Sequence, residues 1–232
     1  MPQETIRAVL IWSGWIRLLH GVLALEVIFL AISATVLRYG GQIDQAFWQE
    51  WHLICGQVLL LTVVARLFLL FVLQDSGSWR ALLPDPAQKQ AFKQMALFYL
   101  SAGRTEMPNW FAHNPFWRPV YPFIWLLLLL CGLAGLLSNS PNTLFGMTMF
   151  DWHTSLANLM LWISGLHVVA ALVHDIKGKG AAISAMLNGY RYFYIKNSTT
   201  VGNTPVNPFK GSAPPVYVSL ESIKKRPPAD KP

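Results

Sequence analysis

The chain has 232 residues, 53% hydrophobic and only 12% charged, against about 25% charged in an average soluble domain. Its mean hydropathy is +0.38. This composition excludes a soluble globule, a disordered chain and a collagen-like repeat, and two cysteines exclude a disulfide scaffold.

In chain order, four stretches are long and apolar enough to cross a bilayer, which takes about 20 residues as a helix. They are 16–37, 52–73, 119–137 and 151–173. The first is too long for a signal-peptide core and no small-residue cleavage site follows it, so it reads as a retained span. No alternating ten-residue strands occur, so the expected fold is an all-α integral membrane protein, a four-helix transmembrane bundle.

Segment 1–15 precedes the bundle, 74–118 forms a long middle loop, and 176–232 is a basic tail expected to be extended or disordered from about 197. Within the middle loop, 86–100 has helical periodicity, with Phe92, Met95, Ala96 and Tyr99 on one face. That face is expected to lie on the membrane surface or against a partner.

Basic residues give the orientation. Arg80, Lys89, Lys93, Arg104 and Arg118 lie in the middle loop and nine more Lys and Arg follow the fourth span, whereas 138–151 contains none. Both termini and the middle loop are therefore expected on the cytoplasmic side, the membrane domain being 16–175. The net charge of +7 is mostly this topological bias and gives no reason to expect nucleic-acid binding.

Four histidines carry the chemistry. His20 lies one turn inside the first span at its cytoplasmic end, and His52 and His153 open the second and fourth spans on the outer side. His167 follows His153 by 14 residues, about 21 Å along a helix and within roughly 40° of the same face. The four thus fall at two depths, His52 with His153 and His20 with His167. Two such pairs are what two stacked haems need, each held by two axial imidazoles. Without Cys-x-x-Cys-His, the haems are expected to be non-covalent and b-type.

Arg17 and Arg66 are candidate propionate partners, with snorkelling to headgroups as the alternative. Gly56, Gly132, Gly135 and Gly165 would let a macrocycle or a neighbouring helix approach. Glu26, deep in the first span, is either a protonated carboxyl bonded between helices or part of a proton route. Cys55 and Cys131 read as small packing residues, and His174 as an interfacial one. A His-lined carrier is a weaker reading, because Glu26 is the only acid deep in a span and broken-helix signals are absent.

Arg17-x-x-His20, His52-x-x-x-Gly56 and His153-x13-His167 resemble the bacterial cytochrome b561 superfamily. Ala112-His113-Asn114-Pro115, leading to Tyr121, is similar to the Gly-His-Asn-Pro motif of the b-type cytochromes of membrane-bound nickel–iron hydrogenases. The resemblance covers 16–175. Gly21 stands where those cytochromes usually carry Trp.

The resemblance implies a multi-pass protein of the bacterial inner membrane. Electrons would pass from a hydrogenase iron–sulfur small subunit, itself bound to a large subunit, to an outer haem on His52 and His153. They would then reach an inner haem on His20 and His167, and a quinone near the cytoplasmic face. In the related formate dehydrogenase cytochromes an Asn before the third span lines the quinone pocket; Asn114 holds the matching place, with His113 beside it. A helix cap and turn is the alternative role for this segment. Formate, thiosulfate or molybdenum dehydrogenases are alternative partners, a stand-alone ferric or quinone reductase would need the same haems, and a homo-oligomer within the complex is a further expectation.

Overall fold

The computed structural model describes residues 4–41, 44–83, 88–108, 110, 112–177, 182–196 and 216–218. In chain order these form β1 (Glu4–Leu10), α1 (Gly14–Tyr39), α2 (Gln45–Val72), a 3-10 turn (Trp79–Leu82) and α3 (Gln88–Leu100). There follow α4 (Val120–Leu136), β2 (Thr143–Leu144), β3 (Met147–Thr148), α5 (Met149–Lys177), α6 (Ala182–Asn188), β4 (Tyr190–Lys196) and β5 (Val216–Val218).

The fold is mostly helical. Helices α1, α2 and α5, of 26, 28 and 29 residues, are long and apolar enough to cross a membrane, reaching about 39–44 Å against a hydrocarbon core of about 30 Å. Helix α4 is apolar but has only 17 residues. Leu25, Ile28, Phe68, Trp162 and Leu166 are exposed on the outward faces. Apolar surface on that scale requires lipid or protein as its solvent.

Close packing runs from α1 to α2, from α2 to α4 and from α4 to α5. The shared core is Leu59 and Val63 of α2, Leu127 and Leu128 of α4, and Met160 of α5. Gly132 permits the α2–α4 approach: a Cβ there would lie 2.5 Å from Leu60 Cδ2. Helix α5 meets α1 and α2 through histidine rings.

Two features differ from the sequence reading. Helix α2 begins seven residues earlier than expected, because the Asp44 side chain accepts a hydrogen bond from the Phe47 N–H and caps it. His52 therefore sits two turns inside α2 and does not open it. Outside the bundle, β1 pairs antiparallel with β4, from Glu4 with Lys196 to Leu10 with Tyr190, and β5 pairs with its other edge. This three-stranded sheet, absent from the all-α expectation, ties the two ends of the chain together. Apart from Val216–Val218, the tail from 197 onward lies outside the described residues.

Candidate functional site

The structure brings the four span histidines together in two pairs. His52 of α2 faces His153 of α5 with ring centres 6.1 Å apart and planes at 89°. His20 of α1 faces His167 of α5 at 6.2 Å and 59°. An imidazole nitrogen binds a metal at about 2.0 Å and lies about 1.2 Å from its ring centre, so two rings sharing one metal have centres about 6.4 Å apart. Both pairs come within 0.3 Å of that separation.

Hydrogen bonds fix which nitrogen each outer ring presents. His153 Nδ1 lies 2.9 Å from the Cys131 carbonyl oxygen, which can only accept, so Nδ1 carries the hydrogen. Ser33 spends its hydroxyl hydrogen on the Leu30 carbonyl at 3.1 Å, leaving a lone pair for His52 Nδ1–H at 2.7 Å. In both rings Nε2 keeps its lone pair and is free to bind a metal. A hydrogen bond to the ring nitrogen opposite the metal-binding one orients a ligand and is worth about 10–100-fold in metal affinity. Ser33 is fully buried.

Space is available on the His52 face: a Cβ built on Gly56, one turn beyond His52, would meet nothing within 4 Å. Gly21 and Gly165 also border open space, at exposed positions turned away from the faces of His20 and His167. Gly135 acts differently: its Cβ would lie 2.8 Å from His153 Nδ1, so glycine lets α4 close on that ring.

The two candidate propionate partners each keep a buried N–H with no hydrogen-bond acceptor in the structure. Arg17 donates through one guanidinium nitrogen to the Leu187 carbonyl at 2.6 Å, while its Nε has no such partner. Arg66 is buried, stacks 4.6 Å over the Trp125 ring and donates to the Gly77 carbonyl at 3.3 Å, while its Nη1 has none. A b-type haem, with two axial sites, a flat ring and two carboxylates, fits this set of groups. Among the described residues, no cluster of three or more His, Cys, Asp or Glu side chains offers an alternative metal site.

Glu26 lies on α1 between the two histidine levels. Thr62 of α2 has one hydroxyl hydrogen and two acceptors in reach, Glu26 Oε1 at 2.8 Å and the Val58 carbonyl at 3.0 Å. Both contacts are satisfied together only when the Glu26 carboxyl carries a proton and donates it to Thr62. The interhelical bond is the first of the two roles expected for this residue.

On the side of the His20–His167 pair, sequence reasoning missed a buried cluster. His174, expected at an interface, is buried at the end of α5 and shares a 2.8 Å hydrogen bond with the Tyr99 hydroxyl of α3. The periodic face of α3 thus packs on the chain's own segment before α4, where Phe92 stacks on Phe116. Asn114 is buried with its amide engaged: Nδ2 donates to Tyr99 Oη at 3.0 Å and Oδ1 accepts from the Phe116 N–H at 2.9 Å. That is the turn-forming role, with one N–H and one lone pair left over.

His113 packs edge-on to Trp12 and beside Tyr121. Burial, reinforced by the Arg118 and Arg66 guanidinium groups, holds its imidazole down at about 3, so it is neutral at physiological pH. Burial likewise pushes the Tyr99 phenol up, against hydrogen bonds from Trp117 and Asn114 that act the other way.

Apolar helices joined by facing imidazole pairs are the framework of a membrane-embedded b-type cytochrome. The chain belongs to the prokaryotic cytochrome b561 family, whose model matches residues 11–189. It is also similar to the "Probable Ni/Fe-hydrogenase B-type cytochrome subunit" of Cupriavidus necator, with 23% identity over 220 residues, covering 82% of this chain and 89% of that protein.

Proposed function

We propose that the chain is a di-haem membrane anchor carrying electrons from a hydrogenase iron–sulfur subunit on the outer face to quinone near the cytoplasmic face. The observation that carries this reading is the pair of histidine ring separations, 6.1 and 6.2 Å, at two depths of one bundle. The name of the Cupriavidus necator relative supports the hydrogenase partner.

In this reading α4 is the third of four spans, its 17 residues meeting the lower limit of about 17 for a crossing helix. The excess of Lys and Arg in the middle loop and after α5 puts both termini in the cytoplasm of a bacterial inner-membrane protein. The domain limits remain 1–15, 16–175 and 176–232.

His52 and His153 hold the outer haem through Nε2, with Ser33 and the Cys131 carbonyl setting their tautomers. His20 and His167 hold the inner one. Arg17 and Arg66 turn their uncommitted N–H groups to propionates, and Gly56 leaves room for the outer ring. When bound, haem iron supplies one-electron transfer, and the chain contributes position, burial and axial ligation. His113 and the spare polar capacity of Asn114 face the quinone.

The test uses membranes holding the assembled complex. Hydrogen gas is expected to reduce the b-haem absorption of this chain and then the quinone pool. Reduction by formate and not by hydrogen would assign the chain to a different dehydrogenase and overturn the hydrogenase partner.

A further inference from the structure

His174 stands outside both pairs. Seven residues separate it from His167, about 10.5 Å along α5 and nearly two full turns, so both lie on almost the same face. Its ring packs against Tyr99 at 5.7 Å and Trp110 at 5.3 Å between centres.

The Tyr99 oxygen receives two hydrogen bonds from groups that can only donate, Asn114 Nδ2 at 3.0 Å and Trp117 Nε1 at 3.0 Å. The Phe116 N–H on Asn114 Oδ1 fixes the orientation of that amide. Both lone pairs of the phenol oxygen are thereby filled, and its hydrogen has one place to go, His174 Nε2 at 2.8 Å. Nε2 is an acceptor, and the ring's own hydrogen sits on Nδ1. A buried base in contact with a buried phenol, two turns from the inner histidine pair, is placed to exchange a proton with that level.

We propose that His174, with Tyr99 as its proton donor, is a proton-loading site that binds a proton about tenfold more tightly when the inner haem held by His20 and His167 gains one electron. The proposal rests on the haem reading of that pair. The step balances: one electron from an external donor converts ferric to ferrous iron, and one proton comes from cytoplasmic water. Tyr99 passes its hydroxyl hydrogen to Nε2, and its oxygen takes the incoming proton. Oxidation returns both electron and proton.

The surroundings set the resting state. Arg191 of β4 lies with its guanidinium 4.4 Å over the Trp110 ring and donates to the Trp110 carbonyl at 2.9 Å; burial first, and then this guanidinium and His167, disfavour a charged His174 ring. Burial lowers that guanidinium only to about 10, so it stays cationic and opposes a second positive charge. On α5 itself, Asp175 is turned to α6, accepting from the Ile183 N–H, and Lys177 is turned to the Gly103 carbonyl. An electron about 10.5 Å away, at an effective dielectric constant of about 20, strengthens proton binding about tenfold. His113, neutral beside Arg118 and Arg66, does not compete.

The loaded state carries a cost in hydrogen bonds. An imidazolium Nε2–H, Asn114 and Trp117 then present three donors to an oxygen with two lone pairs. Removing Trp117 takes one donor from the Tyr99 oxygen and relieves that excess, leaving His174 and Tyr99 themselves in place.

The test is a spectroscopic redox titration of the purified, haem-loaded full chain across a pH series. One b haem is expected to lose about 59 mV of midpoint potential in total as pH rises, which is tenfold coupling for one electron. His174→Gln is expected to keep both haem spectra and abolish this dependence. Trp117→Phe is expected to keep the dependence and move it to higher pH. An unchanged dependence in His174→Gln, or its loss in Glu26→Gln with His174 intact, would overturn the proposal. A wild-type chain lacking the second b-haem spectrum would instead overturn the reading of His20 and His167 on which it rests.

Discussion

Replacing His167 by alanine is expected to lower the haem content from about two per chain to about one and to abolish quinone reduction. His20 would then face a gap that no neighbour can bridge: His174 lies about 10.5 Å further along the helix. No described hydrogen bond involves His167, so its loss removes a haem ligand and little else from the fold. The remaining haem should still be reduced by hydrogen in the assembled complex. Haem quantified against protein, with helix content from circular dichroism as the folding control, checks this. Two haems in a folded variant would remove His167 from the ligand set.

His153→Ala is expected to have the complementary effect with an added loss of stability. The outer haem is lost, and reduction by hydrogen falls to the background of haem-free membranes, although dithionite still reduces the inner haem. The change also removes the second donor on the Cys131 carbonyl, at 2.9 Å, leaving it the helical N–H of α4, and empties the space that Gly135 leaves for the ring. Loss of one such hydrogen bond costs about 0.5–1.5 kcal/mol. Thermal unfolding in detergent should therefore separate this variant from His167→Ala, which keeps its backbone acceptors satisfied. Equal melting of the two variants would show that the Cys131 bond contributes nothing measurable.

The parts of the site governed by helix arithmetic were legible in the sequence. Fourteen residues between His153 and His167 fix their relative depth and face on any straight helix, and the apolar runs fix which helices supply the partners. The start of α2 was not legible from hydropathy, because Gln45, Gln49 and Glu50 make its first turns look like a loop. The cap at Asp44 overrides that impression.

Groups that act through the backbone leave less trace. Nothing in the sequence marks Ser33 as the partner of His52 or the Cys131 carbonyl as the acceptor for His153. Tyr99 and His174 are 75 residues apart, and only folding of the middle loop back onto α5 makes them a pair. The aromatic run in Tyr190–Lys196 favours a strand, but the sequence reading takes it only as part of a basic tail. Its partner Glu4–Leu10 lies on the far side of the entire bundle in sequence, so the sheet could not be inferred from local pattern.

The central claim is that two haems lie between two histidine pairs, and the most direct measurement is a pyridine haemochrome spectrum of the purified full chain, quantified against protein. About two b haems per chain is the predicted result. A folded chain with one haem would contradict the two-level arrangement, and a folded chain unable to bind any would contradict the haem assignment of all four histidines.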